Sequence, residues 1–153
     1  MDENPIMVRN ADTEDLDVLV GLLKQLFLIE KDFNFDGEKN RRGMALMLDG
    51  CGKHRAVKVA VHNTEIVGMC TAQTRISTAT GRITAVLEDL VVDADHRGRA
   101  IGKSLLHAIE QWAQQRGITH LQLLADKNNG PAMTFYKHLK WQQTDLVCLT
   151  REI

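Results

Sequence analysis

Leu90-Val91-Val92-Asp93-Ala94-Asp95-His96-Arg97-Gly98-Arg99-Ala100-Ile101-Gly102-Lys103-Ser104 is the stretch on which the fold turns. A β-branched apolar run ends at Val92, and a charged, glycine-bearing loop follows it. A helix then begins near Ile101 and runs to about Gln115, with Ile101, Leu105, Ala108, Ile109 and Trp112 on one face and Arg116-Gly117 closing it. The first turn of such a helix carries backbone amides without intrahelical partners and the positive end of the helix dipole, which together favour a phosphate or pyrophosphate. Gly98 and Gly102 let a ligand approach the backbone, and Arg97, Arg99 and Lys103 add positive charge there. A plain glycine turn is the alternative reading of the same junction. A Walker loop is excluded, because it needs glycine where Arg97 stands. The dinucleotide fingerprint is excluded by the Gly98–Gly102 spacing and by the strands that precede it.

Upstream, Ala56 to Val61, Ile66 to Ala72 and Ile83 to Val92 alternate or run β-branched, and His62-Asn63-Thr64-Glu65 has the length of a hairpin connection. Three successive strands form an antiparallel meander. Before them, the apolar stretch Ile6 to Arg9 leads to a helix start at Asp12 or Thr13, and Leu16, Leu19, Val20, Leu23, Leu26 and Phe27 form a stripe that must be buried. A second, shorter helix is expected over Glu38 to Leu48. Downstream, Leu121 to Ala125 reads as a strand parallel to its predecessor across the helix. Pro131 opens another helix to about His138, and Trp141 to Leu149 should return as a final strand or hairpin. The sum is one α+β domain, residues 1–153, around a mixed sheet.

Composition bounds the function. The chain has 153 residues, 44% apolar and 25% charged, which suits one domain burying roughly 70% of its unfolded surface without metal or disulfide support. Nineteen Lys+Arg against 20 Asp+Glu leave no basic block for nucleic acid. Cys51, Cys70 and Cys148 are scattered and odd in number, and are expected to be reduced, in a cytoplasmic protein without metal; Cys70 and Cys148 fall in expected strands and read as core. The start, Met1 to Pro5, lacks the features of a signal peptide, and no apolar run of membrane-spanning length occurs. The six histidines show no metal spacing.

Arg97-Gly98-Arg99-Ala100-Ile101-Gly102 resembles the central signature of the GCN5-related N-acetyltransferases, Arg/Gln-x-x-Gly-x-Gly/Ala after a strand. Ala100 stands for the signature's first glycine, and it is expected to keep a helical or near-helical backbone. Leu87 to Val92 looks like the family's fourth strand, and Asn129-Gly130-Pro131-Ala132-Met133-Thr134-Phe135-Tyr136 looks like its second cofactor motif, with Lys140-Trp141 where Gly-Phe is usual. The resemblance implies a mostly antiparallel sheet whose fourth and fifth strands splay apart, flanked by helices. It implies an N-acetyltransferase using acetyl-CoA as cosubstrate. The strand backbone of Leu90, Val91 and Val92 would take the pantetheine arm, and Arg97, Gly98, Arg99, Ala100, Ile101, Gly102, Lys103 and Ser104 the diphosphate. Asn129 would touch the arm from the other side, and Tyr136 would be the general acid near sulfur. A homodimer is implied by analogy only.

The reaction needs a neutral amine and departure of a thiolate. Glu88 and Asp89 are neighbours in an apolar strand, so one faces a cleft that the other does not, unless a bulge shifts the parity. Glu88 is the favoured base, with Asp89 or a water chain the alternatives. The acidic, aromatic stretch Glu30 to Asp36 falls where the family builds its acceptor wall, and a solvated loop is the plainer reading. The expected activity is acetyl transfer to a primary amine of a small metabolite by direct attack in a ternary complex. Acetylation of a protein N-terminus or lysine, or acyl-CoA binding without turnover, are the competing readings.

Overall fold

A computed structural model describes residues 4–30 and 32–153, so Met1 to Glu3 and Lys31 of the acidic stretch lie outside the described residues. The chain divides into two compact units, Met1–Gln122 and Leu123–Ile153. The first holds β1 (Met7–Asn10), α1 (Leu16–Ile29), α2 (Gly37–Asp49), β2 (Arg55–His62), β3 (Glu65–Ser77), β4 (Arg82–Val92) and α3 (Ile101–Gln114). A short β5 (Leu121–Leu123) straddles the division, and the second unit holds α4 (Gly130–His138). The five strands lie in one sheet in sequence order. β1 to β4 are antiparallel neighbours, and β5 runs parallel to β4 after the α3 crossover.

Local chemistry sets the elements. Asp12 caps the turn before α1 in a reciprocal box with Asp15, whose carboxylate also takes both guanidinium nitrogens of Arg9 at 2.8 and 3.1 Å. Asn63 and Thr64 both have positive φ, 50° and 71°, as the tight β2–β3 hairpin demands. At the end of α3, Ile118 N–H bonds Ala113 O and Gly117 adopts φ +70°, which is the glycine stop expected from Arg116-Gly117.

The sheet is covered on both faces. The cross-strand row Val59, Met69, Val91 joins Leu19, Leu22, Leu23 and Leu26 of α1 and Met44 and Leu48 of α2 in one buried cluster. One residue along, the pleat turns Gly68 to the other face. A Cβ built there would meet Val91 O at 3.1 Å, Leu105 Cδ1 at 3.2 Å and Ile101 Cγ2 at 3.4 Å. The missing side chain therefore sets how closely the first turns of α3 lie on the sheet.

β4 contains an extra residue. Met69 pairs with Val91 and Thr71 with Glu88, so Cys70 alone is opposed by both Asp89 and Leu90. Asp89 absorbs the insertion at φ +49°. β5 has three residues against eleven in β4, and its approach is fixed by Ala85 N–H on His120 O at 3.2 Å. Leu90 to Val92 therefore extend beyond the length of so short a neighbour.

One expectation fails. No helix or strand occurs over 141–153, where a closing strand was expected, and every residue from Gln142 onward is exposed. Alternating apolar residues describe a strand only when a neighbour satisfies its backbone. Among the described residues no helix is long and apolar enough to cross a membrane.

Gly68→Ala should lower stability by about 1–3 kcal/mol, since the backbone carbonyl of Val91 cannot yield as a side chain would. Thermal unfolding checks this; an unchanged melting temperature would mean that α3 is free to move off the sheet.

Candidate active site

β4 delivers the chain into the β4–α3 junction, and polar contacts hold that junction in place. Asp93 starts a single 3-10 turn, Ala94 to His96, by accepting Asp95 N–H at 3.2 Å. Its carboxylate also accepts Gln25 Nε2 at 2.8 Å and lies 2.8 Å from His96 Nδ1, while Gln25 Oε1 accepts Ala94 N–H at 3.1 Å. Gln25 of α1 thus holds the junction twice, through the Asp93 carboxylate and the Ala94 backbone amide. Its amide first, and His96 second, hold the Asp93 carboxyl below the usual carboxylate range. The His96 ring stands edge-on to His62, 5.8 Å away.

Beyond the turn, Gly98 has φ +80° with open space where a Cβ would point. Ala100, the residue before α3, sits at φ 59°, ψ 20°. This corrects the expectation of a helical Ala100. The left-handed conformation costs an alanine about 1–2 kcal/mol, and it persists because the chain must turn there to bring α3 back onto β3 and β4. No side chain caps α3. The first closing bond is Ser104 N–H to Ala100 O at 3.1 Å, so the amides of Ile101, Gly102 and Lys103 precede the helical ladder. Ser104 also spends its hydroxyl on Ala100 O, at 3.2 Å. Arg97 folds back so that Nε donates to Val92 O at 3.2 Å, engaging one of the carbonyls expected to receive the pantetheine arm. Uncapped amides, open space at Gly98 and exposed Arg97, Arg99 and Lys103 fit a diphosphate.

The carboxylates of β4 divide differently from the expectation. Glu88 is exposed, whereas Asp89 is mostly enclosed and accepts Thr71 Oγ1 at 3.1 Å. Thr71 is also the register partner of Glu88, so the bulge lets one threonine pair with Glu88 through the strand and with Asp89 through its hydroxyl. Burial pushes the Asp89 carboxyl up to about 6, against the opposing pull of the Thr71 hydroxyl and with added repulsion from Glu88. Burial, and secondarily Asp89, push the Cys70 thiol well above its usual range, so it stays a protonated core group. Cys148 differs from its expected core placement: it is exposed. Among the described residues no group of three or more His, Cys, Asp or Glu could hold a metal.

In the acidic stretch, Asp36 caps α2 through Lys39 N–H, Phe33 stacks on Phe27 at 5.5 Å, and Lys24 Nζ lies 5.7 Å from the Phe35 ring centre. In the second unit Asn129 caps α4, its side-chain oxygen accepting Ala132 N–H at 3.2 Å. Tyr136 is half-buried, with its ring edge-on to Phe135 at 5.2 Å and Trp141 at 6.0 Å.

The first unit therefore assembles Leu90 to Val92, Arg97 to Ser104 and the carboxylates of β4, while Asn129 and Tyr136 stand in the second. The contacts of Gln25 and Thr71, and the enclosure of Asp89 rather than Glu88, do not follow from the sequence reading. A glutamine beside the apolar stripe of α1 and a threonine within a buried strand were the available signals.

The mixed sheet with a strand leading into an uncapped helix start gives the fold, and comparison with known proteins gives the family. The sequence model of the acetyltransferase (GNAT) family matches residues 23–141, and the chain belongs to that family. An uncharacterized N-acetyltransferase of Methanocaldococcus jannaschii is 33% identical over 72 residues, which are 47% of this chain and 32% of that protein. The chain thus matches about a third of that relative's length. The aminoalkylphosphonate N-acetyltransferase of Salmonella typhimurium is 28% identical over 137 residues, 90% of this chain and 85% of that one. An aminoglycoside N-acetyltransferase solved with CoA superposes with a TM-score of 0.83 at 20% identity, covering 97% of this chain and 95% of that one.

Gln25→Ala should weaken CoA binding about 3- to 10-fold by releasing Asp93 and the Ala94 amide, one net hydrogen bond's worth. Titration calorimetry reads this; unaltered affinity would mean that the junction holds its shape without the clamp.

Proposed function

We propose that the chain transfers the acetyl group of acetyl-CoA to a primary amine of a small metabolite by direct attack in a ternary complex. The observation that carries this reading is the juxtaposition in β4: the strand that runs past β5 to the uncapped start of α3 also carries the raised carboxyl of Asp89. The names of two relatives, an aminoalkylphosphonate and an aminoglycoside N-acetyltransferase, support a small amine as acceptor.

Acetyl-CoA supplies an activated thioester. The amides of Ile101, Gly102 and Lys103 would hold its diphosphate together with Arg97, Arg99 and Lys103 side chains. Asp89 replaces Glu88 as the proton acceptor. At pH 7 a group titrating near 6 is mostly ionised, so it attracts an ammonium and takes its proton. The neutral nitrogen then forms the new C–N bond as the C–S bond breaks; the Tyr136 hydroxyl gives its proton to the departing sulfur, and the second proton shed by the acetylated nitrogen passes through solvent to restore that hydroxyl. The exposed Glu88 tunes Asp89 through charge repulsion.

Thiol release from acetyl-CoA, measured across aminoalkylphosphonates, amino sugars, polyamines and short peptides, tests the activity. Turnover should appear with one of the small amines; turnover with peptides alone favours protein acetylation, and CoA binding without any turnover favours a binding module. The pH profile tests the base. Activity should fall as pH drops through about 6, because protonated Asp89 cannot accept a proton. Thr71→Val removes a hydrogen bond to the ionised form and should move that limb to higher pH, whereas Glu88→Gln removes repulsion and should move it lower. Asp89→Asn should cut turnover about 100-fold or more. A limb unmoved in all three variants would assign the proton to solvent.

A further inference from the structure

α4 carries two rows of side chains. Asn129, Ala132 and Tyr136 follow one another at three- and four-residue steps and are half-buried. Thr134, Lys137 and His138 do the same on the opposite side of the helix and are exposed. With the exposed Lys140, just beyond the helix, this second row lines a cavity of about 510 Å³. No step of acetyl transfer uses it.

The cavity gathers basic groups that have no counter-ion. Among the described residues no hydrogen bond or ion pair engages the side chain of Thr134, Lys137, His138 or Lys140. Basic residues in a last turn suit the helix dipole, which accounts for Lys137 and His138. It does not account for Lys140, which lies past the cap. There Lys140 N–H bonds Lys137 O and Trp141 N–H bonds Tyr136 O, both at 3.0 Å, the two bonds that close a helix through a left-handed residue. Lys140 is that residue, at φ 72°. Glycine takes this conformation without steric cost, and because Lys140 is exposed, packing does not offset the cost of a side chain there. Strain held at an exposed cation beside a cavity points to something the cation reaches. Ammonium groups are donors without acceptors, and an imidazole and a hydroxyl can donate beside them, a set that takes phosphate oxygens and repels cations. The volume admits a molecule of nucleotide size rather than a lone ion.

We propose that Thr134, Lys137, His138 and Lys140 form an anion site on the outer side of α4, which binds a small molecule carrying a phosphate or diphosphate group. Lys140 keeps its left-handed backbone because its ammonium closes the site. The site takes none of the residues assigned to acetyl-CoA, so it stands whether or not the acetyl-transfer reading does.

Backbone amide shifts of the full chain, followed during titration with inorganic pyrophosphate at constant ionic strength, test this. Lys137, His138 and Lys140 should move and saturate together, and should do so equally with and without saturating CoA. Lys140→Gly should weaken pyrophosphate binding at these residues about 5- to 10-fold and raise the melting temperature, because it removes a charged donor and relieves the left-handed backbone. Lys137→Gln should weaken binding by a similar factor without that gain in stability. Affinity and stability moving in opposite directions in Lys140→Gly is the signature of a side chain held for a ligand. Shifts confined to the start of α3, or shifts at α4 that vanish when CoA is bound, would overturn the proposal. So would Lys140→Gly binding pyrophosphate as the native chain does, or melting lower than it. Shifts at these residues with a single-stranded oligonucleotide but not with pyrophosphate would assign the surface to nucleic acid and overturn it too.

Discussion

The extra residue in β4 is the constraint on which the site depends. Without it, the pleat would send Asp89 away from Thr71 and reverse the faces of Val91 and Val92 beyond it. With it, Val91 joins the cluster under α1 and α2, and Asp89 is drawn in beside Thr71 at φ +49°. An aspartate tolerates that conformation better than most residues. The same short stretch thus holds a half-buried carboxylate with a raised titration point and leads straight to the amides of α3. Raised carboxyls, bulges and left-handed residues are all costly, and such costs concentrate at sites of function.

The second constraint is the way α3 is held. Gly68 admits the helix to close range from below, and Gln25 fixes the entering loop from α1 through Asp93 and Ala94. Ala100 bears the turn between them. A helix start anchored at both sides keeps its free amides aimed in one direction, which is what binding an anion without reorganisation requires.

Much of this was readable from residues. The apolar stripe of α1, the meander, the hairpin at Asn63-Thr64 and the glycine stop of α3 each follow from a local rule whose physics acts within a few residues, and each is present. What escaped was set by tertiary context. Which of two adjacent carboxylates is enclosed depends on a register slip against Cys70, and nothing local to Glu88-Asp89 encodes it. At Ala100 the steric preference of alanine for a helical backbone is overridden by the need to return the chain to the sheet. Trp141 to Leu149 has the pattern of a strand, but a pattern does not provide a neighbour.

The central claim is that the amides opening α3 bind the diphosphate of CoA. Backbone amide chemical shifts followed during a CoA titration test it most directly. Gly98, Ile101, Gly102 and Lys103 should move the most and saturate together with binding. CoA that binds while these four amides stay still, or that does not bind at all, would contradict the account.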